Sequence, residues 1–152
     1  MDTYKLHDAV AQVVEVMEAM IGRNQICHTM LGSLDTSDQK RIFVAPCKCI
    51  VKKIYLITET TLAANTSDYR HFRPVNVSVP GYLFDEVPAP RSTYYAGHGI
   101  VADTPWEIWV NENTSLAALD VIELYMDTTG SPAALEECSV LVVYSFCEED
   151  EV

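Results

Sequence analysis

The chain has 152 residues, of which ten are basic and 22 acidic, so its formal net charge is -12. This length is typical of one domain that buries about 70% of the surface of its unfolded chain, and the negative charge opposes binding to nucleic acid. Because no apolar run approaches the ~18 residues of a spanning helix and no secretory signal is visible, we expect neither membrane insertion nor export.

Residues 3–22 have the pattern of one amphipathic helix. Thr3 or Asp2 can cap its start, and Gly22 can end it. The helix has two open interpretations: its stripe packs on its own domain, or it packs against copies of itself or a partner. The second is attractive because the strand-rich domain offers no helical neighbour. The stripe consists of apolar residues at helical spacing: Leu6, Val10, Val13, Val14, Met17 and Ile21.

Residues 24–40 are predicted to be a connector, with a short apolar patch at 26–34 and a polar turn at 35–39. The helix and the connector together form a predicted arm, residues 1–40. A β-sandwich domain, residues 41–147, and an acidic tail, residues 148–152, are predicted to follow it. The candidate partner contacts are apolar residues of the arm: Leu6, Val10, Val13, Met17, Ile21, Ile26, Met30 and Leu31.

Residues 41–61 show the pattern of strands and turns that the rest of the chain repeats. Two runs of strand formers flank Pro46, which cannot donate a hydrogen bond within a central strand, so the segment is predicted as strand, corner, strand. In the second run apolar residues occupy both parities, which indicates that both faces of this strand are at least partly covered. The adjacent Lys52 and Lys53 interrupt the alternation and indicate a β-bulge.

Short strand patterns separated by turn residues continue to the end of the chain. We predict strands at residues 69–79, 106–110 and 122–126, a turn at 111–118, and a central strand at 138–147. A long loop at residues 80–104 contains one short predicted strand, 82–87. The pattern predicts a mainly β fold, an antiparallel two-sheet sandwich of jelly-roll or Greek-key type, preceded by one N-terminal amphipathic α-helix.

The sequence predicts no catalytic, cofactor-binding or metal site, and hence no enzyme. Cys47 and Cys49 form a Cys-x-Cys pair without the second pair that a structural zinc site needs. Cys27 and His28 are adjacent, and adjacent side chains seldom face one another as a nucleophile and its base must. Free buried thiols are the first interpretation of the five cysteines, and one disulfide is the alternative.

Aromatic side chains between residues 94 and 109 support a second functional interpretation. Tyrosine and tryptophan rings stack on sugars, so a carbohydrate-binding or adhesin-like module is the alternative function. Trp106 and Trp109 have opposite parity, so at least one of them is predicted to lie in the core.

The segment APCKCIVKKIYLITETTLAANTSDYRHFRPVNV resembles the opening of small head-decoration proteins of tailed bacteriophages, also called cement or head-fibre proteins. Those sequences contain phrases of the form aPfdGtVtkVylv and tiAandTdYrtftl. The chain departs from them at Cys47 and Cys49, in the aromatic loop and in its N-terminal helix. The matching pieces are residues 42–46, 51–57, 62–76, 118–126 and 130–145.

The resemblance implies a structural virion protein that decorates and stabilises a bacteriophage capsid from its outer surface. It implies a non-enzymatic β-sandwich, as a homotrimer, with the major capsid protein as its partner and no cofactor. The expected location is the capsid exterior, after assembly in the host cytoplasm.

Overall fold

The computed structural model describes residues 8–12, 23–79 and 91–147. Residues 8–12 are helical, within the predicted helix of residues 3–22, and all five side chains are exposed, Val10 at 54%. The remainder of that predicted helix, the predicted strand 82–87 and the acidic tail 148–152 lie outside the described residues.

Eight strands make up the described body of the protein. Their alternating burial follows from strand geometry, in which successive side chains point to opposite faces of a sheet. In chain order they are β1 (Asn24–Leu34), β2 (Asp38–Val44), β3 (Cys49–Ile57), β4 (Tyr69–Asn76), β5 (Arg91–Ser92), β6 (Trp106–Leu116), β7 (Val121–Thr129) and β8 (Leu135–Phe146).

The strands form two four-stranded sheets whose inner faces pack against each other. The first sheet has the order β1-β8-β3-β6 and the second β2-β7-β4-β5, and every pair of neighbours is antiparallel. This interleaved order is that of an eight-stranded jelly roll. The predicted antiparallel two-sheet sandwich is therefore confirmed.

The inner faces of the two sheets enclose one hydrophobic core. Ile54 and Val142 contribute from the first sheet and Phe72 and Ile122 from the second, and none of the four is exposed. Burying each such side chain contributes about 1.5–3 kcal/mol. Trp106 is also buried, with its ring 5.4 Å from that of Phe72, which confirms that at least one of the two tryptophans lies in the core.

The predicted strand, corner, strand is confirmed. β2 ends at Val44 and the chain crosses to the first sheet around Pro46, before β3 begins at Cys49. Ala45 fixes this corner because its N–H donates to Asp120 O at 2.9 Å and its carbonyl accepts from Leu119 N at 2.8 Å. The predicted bulge is also present, since the register shifts between Val51 and Lys53 against both β6 and β8.

Two sequence predictions are wrong. The segment that we predicted to be a connector is strand β1 from Asn24 to Leu34, and it pairs along its length with β8. The predicted turn at 111–118 belongs to β6 as far as Leu116. Both strands lie at the edges of the first sheet, where polar residue types are tolerated, so β1 and the second half of β6 lack an alternating apolar pattern in their sequences.

Arg70 is the largest fully buried side chain, and it joins two turns at one end of the sandwich. Its Nη2 donates to Asp35 O at 2.9 Å and to Ala133 O at 2.7 Å, and its Nη1 lies 3.3 Å from Met126 Sδ. Burial lowers the pKa of the guanidinium. The charge of Arg70 is therefore stabilised mainly by main-chain carbonyl oxygens. Through these two hydrogen bonds Arg70 links the β1–β2 turn to the β7–β8 turn.

Gly130 is expected to be intolerant of a side chain. Its φ is +69°, and a Cβ there would collide with Asp68 Oδ1 and Ser67 O. We expect Gly130→Ala to lower the free energy of unfolding by about 2–3 kcal/mol, from left-handed strain plus overpacking. Gly97→Ala is the matched control, because Gly97 has φ +81° with open space around it and should lose about 1 kcal/mol. Equal losses in urea denaturation would contradict the collision.

Candidate functional site

The outer face of the first sheet is built from three neighbouring strands. Cross-strand partners point to the same side of a sheet, and the row Cys27, Val142, Ile54 points inward, because Val142 and Ile54 are fully buried. The flanking rows across β1, β8 and β3 point outward: Asn24, Ser145 and Ile50; Ile26, Val143 and Lys53; His28, Leu141 and Tyr55; Met30, Ser139 and Ile57.

Six of the twelve side chains in these rows are aliphatic or methionine, and Tyr55 adds an aromatic ring. Ile26 is 66% exposed and Met30 is 62% exposed, and the other four apolar side chains are partly buried. Of the polar members, Asn24 and His28 are exposed, whereas Ser139 and Ser145 are buried. Lys53 is the only Lys, Arg, Asp or Glu in the rows. Exposed apolar patches that are contiguous mark surfaces for binding other molecules. We call this surface the apolar face, and it consists of Ile26, Met30, Ile50, Ile57, Leu141 and Val143.

The outer face of the second sheet has a different character. In the strand register Arg41 lies opposite Glu123, and His71 lies opposite Asp127 on the same side of the sheet. The guanidinium of Arg73 lies 5.6 Å from the centre of the Tyr125 ring, within the range of a cation–π interaction. The outer face of the first sheet is therefore rich in apolar side chains, whereas that of the second sheet carries charged side chains of both signs.

The predicted contact residues are divided between several environments. Ile26 and Met30 lie together on the apolar face, Val10 is in the exposed helical segment, and Leu31 is partly buried against the core. Leu6, Val13, Met17 and Ile21 lie outside the described residues.

Four residues of the apolar face were not among the predicted contacts: Ile50, Ile57, Leu141 and Val143. Their signal was present in the sequence, because β3 is apolar at both parities and β8 is nearly continuous in apolar residues. We interpreted that signal as burial on both sides. In the structure the inner parity fills the core, and the outer parity forms the apolar face.

The five cysteines differ in their accessibility, and none is in a disulfide. Cys49 and Cys138 are fully buried, whereas Cys27, Cys47 and Cys147 are partly exposed. Burial raises the pKa of the Cys49 thiol to about 12, with a further contribution from the thiols of Cys47 and Cys147. Burial also raises the pKa of Cys138. Both buried thiols therefore stay protonated and unreactive at neutral pH.

This difference predicts the order of thiol alkylation. With a pKa near 12, about one Cys49 thiol in 10⁴ is ionised at pH 8, and burial blocks the reagent as well. We expect iodoacetamide at pH 8 to modify Cys27 and Cys147 first and to leave Cys49 and Cys138 unmodified until denaturant is added. Peptide mass spectrometry measures each site, and native-state labelling of Cys49 as fast as that of Cys147 would contradict the assignment.

Within residues 8–12, 23–79 and 91–147, no three His, Cys, Asp or Glu side chains come close enough to hold a metal ion. The same part of the chain contains no helix that is long and apolar enough to cross a membrane.

No protein-family model matches this chain, and no curated protein matches it at the significance threshold.

Proposed function

We propose that this protein is a structural component of a virion that decorates and stabilises a tailed-bacteriophage capsid. It binds the outer surface of the major capsid protein lattice through the apolar face, as a homotrimer, on the capsid exterior after assembly in the host cytoplasm. Its role is structural rather than catalytic.

The observation that carries this proposal is the apolar face. Full burial of an aliphatic side chain contributes about 1.5–3 kcal/mol. Because Ile26 and Met30 are largely exposed, their burial against a partner would contribute favourably to the free energy of binding. Three strands spaced ~4.8 Å apart and ~25 Å long give a face of about 360 Å², or about 720 Å² counting both partners. A specific interface buries at least about 1,000 Å².

One such face gives modest affinity, so further contacts are needed. The predicted apolar stripe of residues 3–22 leads directly into β1 at the edge of the apolar face, and Val10 within it is exposed. A trimer that places three faces on one shell also gains effective concentration. The net charge of -12 keeps the outward surfaces soluble.

The sequence resemblance supports the same role. The segments that resemble head-decoration proteins include most of β3, β4, β7 and β8 and the end of β2. The resemblance therefore lies mainly in the strands of the sandwich.

The test is to mix the purified protein with capsids that lack it, count the bound copies, and heat the particles. We expect saturable binding at a fixed ratio to the major capsid protein and a higher temperature of shell disruption. Sedimentation of the free protein tests for the trimer. Absence of binding, with a monodisperse soluble oligomer left behind, would contradict the proposal.

A further inference from the structure

Two exposed tyrosines form a corner on the loop after β5. Tyr94 is 39% exposed and Tyr95 is 52% exposed, and their rings lie 5.1 Å apart at 80°. One ring therefore stands against the edge of the other and leaves aromatic surface open to solvent. Tyr69 and His98 support the corner from either side, with ring distances of 5.0 Å to Tyr94 and 5.6 Å to Tyr95.

Main-chain hydrogen bonds hold this corner in place. Leu62 and Ile100 exchange two bonds of 2.8 Å, and Asn65 N donates to Thr93 O at 3.1 Å. Tyr94 N donates to Ser92 Oγ at 3.1 Å. A ligand that binds to a preformed support loses little free energy in ordering the loop.

A surface cavity of about 340 Å³ adjoins the corner, and its lining is neutral. Asn65 Oδ1 accepts from Ser67 N at 2.7 Å and from Asp68 N at 2.9 Å. Because both bonds use the oxygen, the amide NH2 group is the part of Asn65 that is left for a ligand. The hydroxyl of Thr66 adds a donor and acceptor. We call this site the tyrosine cleft, and its lining residues are Ala64, Asn65, Thr66, Tyr94 and Ala96, with Tyr95 beside them.

We propose that the tyrosine cleft binds a neutral pyranose sugar of a glycan chain. The C–H face of the sugar ring stacks on an open tyrosine ring, and its hydroxyls bond to the Asn65 amide and the Thr66 hydroxyl. This matches the general design of small-molecule sites, in which aromatic surface supplies contact and a few fixed polar groups supply orientation. The cleft is formed by the loops before β4 and after β5, which are strands of the second sheet, whereas the apolar face is on the first sheet. We therefore expect sugar binding to be independent of capsid attachment.

The experiment screens the full-length protein against neutral glucose-, galactose- and mannose-based oligosaccharides by saturation-transfer NMR, then titrates the best ligand by calorimetry. We expect saturable binding, with Tyr95→Ala weakening it at least about tenfold through loss of stacking. Asn65→Asp preserves the acceptor oxygen of the turn but removes the NH2 donor, and it should also weaken binding. Tyr95→Trp should retain it. Tyr55→Ala, on the outer face of the first sheet beside Leu141, is the matched control and should bind normally.

Three outcomes would overturn the proposal. The first is no binding to any oligosaccharide up to about 10 mM, a binding free energy weaker than about −2.7 kcal/mol. The second is binding that Tyr95→Ala leaves unchanged. The third is a change in oligomeric mass in Tyr95→Ala, which would make the cleft a contact between copies. Capsid binding by Tyr95→Ala is measured in parallel, because it should match that of the unmodified protein whether or not the sugar binds.

Discussion

Arg70→Ala is expected to lower the free energy of unfolding by about 4 kcal/mol. The substitution leaves the carbonyl oxygens of Asp35 and Ala133 without their donor, at about 1–3 kcal/mol each, and it opens a cavity at a fully buried position. For a domain of this size the melting temperature should fall by about 10 °C. Thermal and urea denaturation measure both quantities.

Three further variants separate the hydrogen bonds from volume and charge. Arg70→Met fills most of the space but supplies no donor, so it should lose nearly as much as Arg70→Ala. Arg70→Lys retains the charge, but its shorter side chain places the ammonium short of the Nη2 position and loses the Nη1 contact with Met126 Sδ, so it should lose about half. Arg73→Ala is the matched control, because Arg73 lies on the outer face of the same strand and should lose less than about 1 kcal/mol. If Arg70→Ala and Arg73→Ala were equally stable, the link between the turns would have no energetic importance.

Placing carboxylates on the apolar face is expected to abolish capsid binding while the fold is retained. In Ile26→Glu/Met30→Glu, each new charge would have to be dehydrated on docking, and two apolar contacts would be lost. We expect affinity for capsids to fall at least about a hundredfold, or roughly 2.7 kcal/mol. The melting temperature should change little because both side chains are exposed in the free protein. Capsid co-sedimentation measures the loss.

The matched control is Val44→Glu/Val79→Glu. Both valines are 44% exposed, both lie outside the apolar face, and the double variant adds the same two charges. It should bind capsids normally. If both double variants lost binding equally, net charge rather than the apolar face would govern attachment. If both bound normally, the contact surface would lie elsewhere, and the segment of residues 3–22 would be the next to alter.

The sequence predictions agree best with the structure where a feature has a cause within a few neighbouring residues. The central position of β8, the corner at Pro46 and the bulge beside Lys52 each have a local cause: an apolar run, a missing donor, or two adjacent charges in an alternating strand. The edge strands could not be predicted in the same way. β1 places Ile26 and Met30 outward and Gln25 and Thr29 toward the other side, so its hydrophobic pattern does not identify a buried face.

Local sequence patterns are sufficient to predict the fold class and most of the strands, because alternation, turn residues and proline act within a few positions of one another. The composition of the apolar face, in contrast, depends on tertiary structure. That surface is assembled from β1, β8 and β3, which are far apart in the chain and become neighbours only through the jelly-roll order. The same is true of the tyrosine cleft, where Asn65 and Tyr94 meet because two loops bond through their main chains. Long-range pairing sets these surfaces, and no local pattern encodes it.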